Sequence, residues 1–224
     1  MSLNTVLPSL AIFDLDNTLI GGDSDYLWGE FLVERGVVDA QTYHRENERY
    51  YELYQQGNLD ILEYLKFALE PLAKNPLNML NQWRKEFIMQ KIEPIMLEKA
   101  AQLIARHKSQ GDQLMIITAT NRFITEPIAQ RLGIDTLIAT EAECVNNSYT
   151  GRVLGIPCFQ EGKVKRLHQW LQDHQASLEG SWFYSDSHND LPLLELVSNP
   201  VVVDPDEILA KVARERGWAT ISLR

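Results

Sequence analysis

The stretch that decides the fold is residues 10–20, which read LAIFDLDNTLI. Its first four residues are apolar, as in a buried strand, and two acids, Asp14 and Asp16, follow at once. Burying a carboxylate is costly unless the group is paired or binds a metal. Because ligands bind at the carboxyl ends of strands in open α/β sheets, the stretch predicts a buried strand that ends in two functional acids.

The rest of the chain repeats this strand pattern. Further short apolar runs, typical of strands covered on both faces, lie at 114–117, 136–139, 182–184 and 201–203. Helical patterns alternate with them at 94–109, 122–132, 161–174 and 206–216, and 142–155 resembles a β-hairpin. This alternation predicts an α/β fold with a doubly wound parallel sheet.

The interval between the first and second predicted strands is far longer than the roughly 10–12 residues that a crossover needs. It contains helical patterns at 23–35, 40–56, 59–69 and 77–90, rich in aromatic residues. We therefore expect an all-helical cap domain over 22–93, inserted into a core formed by 1–21 and 94–224. Gly21-Gly22 and Glu93-Pro94 are the expected hinges.

The composition limits the kinds of partner that the protein is expected to bind. The 224 residues carry a net charge of -10, which argues against a nucleic-acid footprint and against binding to an anionic membrane. No apolar run approaches the roughly 18 residues of a membrane span. No Lys or Arg precedes Arg35, so we expect no signal peptide. Cys144 and Cys158 are expected to be free thiols in a reducing cytoplasm. Nothing in the sequence indicates an oligomeric state.

Further chemistry falls where the remaining strands end. Thr118 closes the second strand, where a hydroxyl and the N–H groups of the next helix can cradle an anion. Lys163 opens a helix and supplies a positive charge, and Asp186, Asn189 and Asp190 follow a later strand. Several acids beside a positive cradle suit Mg²⁺, which is held by one or two carboxylates and substrate phosphate.

Each motif also has a simpler interpretation. A lone Asp-x-Asp pair can be a turn with an Asx cap, and Thr118 can be a plain strand end. Lys163 competes with its neighbours Lys165 and Arg166, while Asp190 can serve only to cap the helix that follows. The argument for function therefore depends on the joint order of the motifs.

The chain resembles the haloacid dehalogenase superfamily in the order of its motifs, which are Asp14-x-Asp16-x-Thr18, Thr118, Lys163 and residues 186–190. The helical insert after the first motif is similar to members with the first cap type, and the closest likeness is to the phosphoserine phosphatase-like branch. The resemblance covers nearly the whole chain. It implies the core and cap described above, and a hydrolase.

By position, the resemblance also implies roles. Asp14 would be the nucleophile that forms an aspartyl-phosphate, and Asp16 the general acid and base. The carboxylates of Asp14 and Asp186, with the backbone carbonyl of Asp16, would hold Mg²⁺. Thr118 and the Ala119 N–H would bind the phosphoryl oxygens.

The remaining motif residues would support that chemistry. Lys163 would neutralise the phosphate and Asp14, held in place by Asp190, while Asn189 would hydrogen-bond near the phosphate. The cap would exclude water. The acid at Asp16, which dehalogenases lack, favours a phosphatase acting on a small phosphorylated metabolite. A phosphotransferase or mutase and a silent binding module are the alternatives.

Two cap residues bear on the substrate. Asp23 stands where phosphoserine phosphatases place a Glu that contacts the substrate amine, although a helix-capping role fits equally well. Lys66 stands, by rough alignment, where they place an Arg that grips the substrate carboxylate, and Lys lacks the bidentate fork. This favours an amine-bearing phosphate without a carboxylate. Histidinol phosphate is the first expectation and phosphoserine the second.

Overall fold

The computed structural model describes residues 8–224. Within that range the strands are β1 (Leu10–Phe13), β2 (Gln113–Asn121), β3 (Thr136–Val145), β4 (Ser148–Leu154), β5 (Trp182–Ser185), β6 (Asn199–Val203) and β7 (Ala219–Ile221). They form one sheet in the order β4-β3-β2-β1-β5-β6-β7. Every neighbouring pair is parallel except β3 and β4, which form the antiparallel hairpin. The predicted doubly wound α/β fold is confirmed.

Helices cover both faces of the sheet and fill the insert. They are α1 (Ser24–Glu34), α2 (Ala40–Gln55), α3 (Ile61–Lys74), α4 (Leu77–Phe87), α5 (Glu98–Gln110), α6 (Arg122–Leu132), α7 (Glu161–His174), α8 (Leu191–Leu194) and α9 (Glu207–Arg216). A π-helical turn, Ile88–Ile92, extends α4. None of the helices in the described range is long and apolar enough to cross a membrane.

The central strand β1 is buried on both faces. Ala11 and Phe13 belong to the larger hydrophobic cluster, while Leu10 and Ile12 belong to a second one. Successive side chains of a strand point to opposite faces, so each face of β1 contributes to a separate core. With β2 on one side and β5 on the other, the end of β1 lies in the middle of the sheet edge.

The insert, α1–α4, leaves the core and returns to it at one narrow place. Gly21 N donates to Ile95 O at 2.8 Å, and Ile20 and Met96 form an antiparallel bridge. The returning chain makes a 3₁₀ turn over Glu93–Ile95 and is extended at Met96 and Leu97, so α5 begins at Glu98 and not at residue 94 as the sequence suggested. The all-helical insert is present, and the boundaries at 22 and 93 stay a prediction.

Aromatic packing joins the insert to the core. Trp28 of α1 packs edge-on against Phe123 of α6, with ring centroids 5.7 Å apart, and against Phe87 at 5.2 Å. Arg84 lies over the Phe123 ring and donates to the Phe123 carbonyl at 2.8 Å. The larger hydrophobic cluster therefore runs without interruption from the sheet into the cap.

Two details differ from the sequence prediction, whereas the expected free state of both cysteines is confirmed. Strand β7 is an addition at the sheet edge, too short to be recognised from its own pattern. Helix α3 continues through Pro71 to Lys74 instead of ending at residue 69, and Asn75 Nδ2 donates to the Pro71 carbonyl at 2.8 Å. Both cysteines are free, Cys158 buried and Cys144 exposed.

Candidate active site

The sheet order brings the predicted acids to one edge. Asp14 follows β1, Thr118 lies in β2, and Asp186 follows β5, and these three strands are neighbours. Parallel strands present their carboxyl ends at the same edge. Lys163, in the first turn of α7, reaches the same place.

Lys163 supplies the positive charge beside Asp14. Its ammonium donates to Asp14 Oδ1 at 2.7 Å and lies 2.8 Å from Asp190 Oδ1, and it is only 3% exposed. Burial alone would lower the pKa of Lys163, but the two carboxylates raise it above its usual value. Ser185 Oγ donates to Asp190 Oδ2 at 2.7 Å and fixes that acid. The ammonium therefore stays charged beside Asp14.

Asp16 accepts two hydrogen bonds and makes one longer contact. Ser24 N donates to Oδ1 at 2.7 Å, Thr120 Oγ1 donates to Oδ2 at 2.8 Å, and Thr118 Oγ1 makes a longer contact with Oδ2 at 3.4 Å. Burial, with the nearby charge of Asp23, raises the pKa of Asp16 to about 6. A carboxyl group with such a pKa can both give and take a proton near neutral pH.

Asp186 is held by a neutral partner. Thr18 Oγ1 donates to its Oδ1 at 3.0 Å and accepts from its backbone N at 3.1 Å. Burial and the charge of Asp14 raise the pKa of Asp186 well above its usual value. Asp14 and Asp186 thus repel each other, and among residues 8–224 no cation pairs with Asp186.

This charge excess bears on whether the residues fit Mg²⁺. No group of three acid, His or Cys side chains in the described range is arranged to hold a metal, and the Asp16 carboxylate is occupied by its two hydrogen bonds and the longer contact. Two carboxylates, Asp14 and Asp186, remain. That number fits Mg²⁺, which takes its other ligands from carbonyl, water and phosphate oxygens.

The predicted phosphate-binding residues surround the same space. Thr118, Ala119, Lys163 and Asn189 all line one cavity with Asp14 and Asp16. The side chain of Asn189 is engaged with the cap: its Nδ2 donates to the Tyr54 carbonyl at 3.1 Å, and its Oδ1 accepts from Gln160 at 2.9 Å. Asn189 therefore also joins the core to the cap.

The two cap residues predicted to contact substrate are placed differently. Asp23 lines the cavity and also caps α1, its Oδ1 accepting from the backbone N of Asp25 and of Tyr26 at 2.9 Å each. Both interpretations of Asp23 are therefore compatible with the structure. Lys66 is exposed on α3 and is not part of the cavity wall, because the buried face of that helix is formed by apolar residues such as Leu65. The structure does not bring Lys66 to the site.

Several residues of the site were not singled out from the sequence. Thr120 supports Asp16 and Ser185 supports Asp190, and both lay inside motifs that were already recognised. Asn47, Asp25 and Tyr64 line the cavity from the cap. Their helical spacing is that of ordinary core or first-turn residues, so no sequence signal distinguished them.

Comparison with known proteins agrees with this geometry. A family model described as haloacid dehalogenase-like hydrolase matches residues 11–195. A histidinol-phosphatase of Neisseria meningitidis serogroup C (strain 8013) is 43% identical over 222 residues, covering 97% of this chain and 100% of that protein. Phosphoserine phosphatase SerB1 of Mycobacterium tuberculosis (strain ATCC 25618 / H37Rv) is 30% identical, covering 95% and 70%. The chain belongs to the haloacid dehalogenase-like hydrolase family.

Solved structures share the fold. A protein of unknown function from Bordetella pertussis Tohama I superposes with a TM-score of 0.92 at 40% identity, covering 98% of this chain and 100% of that one. A substrate-bound phosphoserine phosphatase superposes with a TM-score of 0.71 at 18% identity, covering 96% and 93%. The family, the fold and the class predicted from the sequence, a phosphoric monoester hydrolase, are confirmed.

Proposed function

We propose that this protein is a Mg²⁺-dependent phosphatase that hydrolyses histidinol phosphate, with phosphoserine as the second candidate. The observation that carries the proposal is the contact of 2.7 Å between Lys163 Nζ and Asp14 Oδ1 in a cavity that Asp23 and Asp25 of the cap also line. A phosphate fits beside Lys163 and a substrate nitrogen fits beside the two cap acids. The likeness to the Neisseria protein favours histidinol phosphate over other amines.

In the first step, Asp14 attacks the phosphorus, and the bond between phosphorus and the alcohol oxygen breaks. Asp16 gives its proton to that departing oxygen, which leaves as the alcohol. In the second step, Asp16 takes a proton from water, whose oxygen attacks the phosphorus. The bond between phosphorus and the Asp14 oxygen breaks, which releases inorganic phosphate and restores the Asp14 carboxylate. The raised pKa of Asp16, about 6, suits both transfers, because the group is available in either form.

Charge stabilisation comes from preorganised groups. Lys163 is fixed between Asp14 and Asp190, so it needs no reorganisation when negative charge develops on the phosphoryl oxygens. The Thr118 hydroxyl and the Ala119 N–H are the remaining donors that we assign to those oxygens. Thr120 and the Ser24 N–H keep Asp16 oriented.

The metal belongs to the same proposal. The carboxylates of Asp14 and Asp186 and the backbone carbonyl of Asp16 would hold Mg²⁺. When bound, the ion supplies positive charge that reduces repulsion between Asp14 and the phosphate. Thr18 would keep Asp186 oriented towards it, through the bond of 3.0 Å.

The compartment and the domain organisation of the enzyme belong to the same proposal. We place the enzyme in the cytoplasm, because two unpaired cysteines suit a reducing compartment. We also assign 22–93 to a cap domain that closes over the site and 1–21 with 94–224 to the catalytic core. The narrow joint at Gly21 and Ile95 supports that division.

The test is Mg²⁺-dependent release of phosphate from histidinol phosphate, phosphoserine and an aryl phosphate. We expect wild type to prefer histidinol phosphate by kcat/KM, and Asp14→Asn to lose at least about 1,000-fold with every substrate. Asp173→Asn makes the same charge change on the exposed face of α7 and should leave the rates unchanged.

Each contrary outcome would favour a different alternative. An Asp14→Asn variant with full activity would remove the assigned nucleophile. If alcohol were produced faster than inorganic phosphate and the difference appeared on an added hydroxyl acceptor, the enzyme would be a phosphotransferase. If no phosphate were released above background with Mg²⁺ present, the silent binding module would be favoured.

A further inference from the structure

The cap end of the cavity contains a buried acid that the reaction does not use. Asp25 lines the cavity and is only 8% exposed. Tyr64 Oη donates to its Oδ2 at 2.7 Å, and Asn121 Nδ2 approaches its Oδ1 at 3.5 Å, beyond normal hydrogen-bond length. An ionised carboxylate can accept about four hydrogen bonds, so Asp25 retains accepting capacity inside the cavity.

Beside Asp25 there are further acceptors without donors. Asn47 lines the cavity and is 4% exposed; its Nδ2 donates to the Tyr26 carbonyl at 3.3 Å, and its Oδ1 accepts no hydrogen bond from residues 8–224. Asp23 uses Oδ1 for both of its capping bonds, which leaves Oδ2 without a donor in the same range. Both side chains line the cavity, and a ligand with N–H groups could donate hydrogen bonds to these two oxygens.

No cation among residues 8–224 is paired with these acids. Lys163 is the only positively charged residue among the described residues of the cavity wall, and it is paired with Asp14 and Asp190 at the other end. The adjoining outer cavity shares Asp23, and the only further charged residues among its described lining are the acids Glu48 and Glu52.

Arg224 contacts Asn17, a residue that lines that outer cavity. It donates to the Asn17 carbonyl at 3.2 Å and lies 3.7 Å from Asp204. It is therefore engaged elsewhere. Arg49, which lies over the Tyr50 ring, is paired with Glu46 and Glu63, so no unpaired cation among these residues is available to a substrate carboxylate at the cap end.

The walls between the acids are aromatic. Tyr26, Tyr50, Tyr51 and Tyr64 all line the cavity. Ring faces attract cations and pack against flat heterocycles. A protonated imidazole has both properties, whereas a carboxylate has neither.

We propose that Asp25, held by Tyr64 and flanked by Asn47, is a specificity-determining residue that binds a cationic nitrogen group of the substrate, distinct from the group that Asp23 receives. The cavity then selects phosphomonoesters whose alcohol carries two nitrogen groups, such as an amine and an imidazole, and disfavours those that carry a carboxylate. This inference rests on the proposed function for the phosphate end only.

The test compares histidinol phosphate with phenyl phosphate, which has no cationic group. We expect Asp25→Asn to lower the ratio of their kcat/KM values by about 10- to 100-fold, the worth of one hydrogen bond to a charged group. Tyr64→Phe keeps Asp25 but removes the hydrogen bond that orients its carboxylate, so it should lower the ratio less. Glu70→Gln, on the exposed face of the same helix as Tyr64, is the charge-matched control and should keep the wild-type ratio.

A second measurement separates this inference from the proposed function. Calorimetric titration with histidinol, which has no phosphate, should show binding to wild type and at least about 10-fold weaker binding to Asp25→Asn. Histidinol binding that depends on Asp25, with no phosphatase activity, would overturn the proposed function and leave this inference standing.

The reverse result separates the two in the other direction. Hydrolysis with an unchanged substrate ratio and unchanged histidinol binding in Asp25→Asn would overturn the inference alone. If Asp25→Asn does not fold, the same substrate ratio and histidinol titration are measured for Tyr64→Phe. Wild-type values in that variant would overturn the assignment of Asp25.

Discussion

The two ends of the cavity hold acids in opposite ways. At the sheet end, Asp14 and Asp190 share the buried ammonium of Lys163. At the cap end, Asp23 and Asp25 receive only neutral donors, namely backbone N–H groups and the Tyr64 hydroxyl. Burial raises the pKa of each of these two acids to about 6.

The difference shows what each end requires from a ligand. The sheet end presents a positive group that is already fixed, and an anion can complete it. The cap end concentrates negative charge that no described residue neutralises, so a cation would complete it. One molecule with a phosphate at one end and protonated nitrogen at the other would satisfy both.

Removing the single cation of the sheet end should have the largest effect. Lys163→Met leaves Asp14 and Asp190 buried without a positive partner, and breaking a buried pair in this way costs about 3–5 kcal/mol of stability. We also expect kcat to fall by at least about 1,000-fold, because charge on the phosphoryl group is no longer neutralised. Urea unfolding and steady-state kinetics measure the two effects.

Lys165→Met is the matched control, because Lys165 is exposed two residues along the same helix. It should change neither stability nor rate appreciably. If Lys163→Met and Lys165→Met behaved alike, the contrast between the two ends of the cavity would have no energetic meaning.

Removing a negative charge at the cap end should raise the stability of the protein, whereas removing Lys163 should lower it. Asp25 has a folded-state pKa of about 6, above its usual 3.8, so the folded state binds more protons than the unfolded state between those values. Stability from this group is therefore present at low pH and lost as pH rises. Asp25→Asn should match wild type near pH 4 and exceed it by about 2–3 kcal/mol above pH 7.

Urea unfolding of both proteins across that pH range measures the difference. Glu70→Gln should follow the wild-type curve throughout. A stability gain that was already complete at pH 4 would mean that the Asp25 carboxyl is not held in an unfavourable charged form, and the cap end would then need no cation.

The sheet end was predictable from the sequence because it is built from contiguous motifs. Asp14 and Asp16 follow an apolar run, and Asp186 and Asp190 follow another. Parallel pairing brings such strand ends together whatever the loops between them do. Thr120 and Ser185, which orient the acids, were missed only because hydroxyl residues at strand ends are common.

The cap end was not predictable in the same way. Asn47, Asp25 and Tyr64 come from three different helices, and each follows ordinary helical spacing. Their meeting depends on how the helices pack, for example through Trp28 against Phe87. Lys66 illustrates the same limit: an alignment placed it near the substrate, but the helix turns it to solvent.

The position of Lys163 depends on its neighbour Gly162. A Cβ at residue 162 would lie 2.0 Å from the Pro157 carbonyl oxygen, which is backbone and can move only with the chain. Gly162→Ala should therefore cost about 1–3 kcal/mol and lower kcat, because α7 must shift together with Lys163. Calorimetric unfolding and kinetics measure both.

Gly36→Ala is the comparison, since its Cβ would meet nothing within 4 Å. It carries only the penalty of a positive φ of 66°, roughly 1–2 kcal/mol, and should leave kcat unchanged. Equal kcat values for the two alanine variants would show that the sheet end tolerates movement of its cation.

The Tyr54 hydroxyl is one of the contacts that join the cap to the core, and its loss should have the smallest effect. Tyr54 of α2 donates from Oη to Ser187 Oγ at 3.1 Å, next to Asp186, and its carbonyl accepts from Asn189. Burial and the charges of Asp186 and Asp14 raise the pKa of Tyr54 well above its usual value, so the hydroxyl remains a donor. Tyr54→Phe should lose about 1 kcal/mol of closed-cap stabilisation and about 5-fold in kcat/KM.

The split between kcat and KM identifies the cause. If Tyr54 holds the cap closed, the variant should raise KM for histidinol phosphate and for phenyl phosphate alike, because closure precedes any contact with the nitrogen groups. Tyr149→Phe, on β4 and outside the cavity, should change neither constant. An effect of Tyr54→Phe on histidinol phosphate alone would instead make Tyr54 part of the cap end, and the two ends would be coupled through the ligand and not through the closure of the cap.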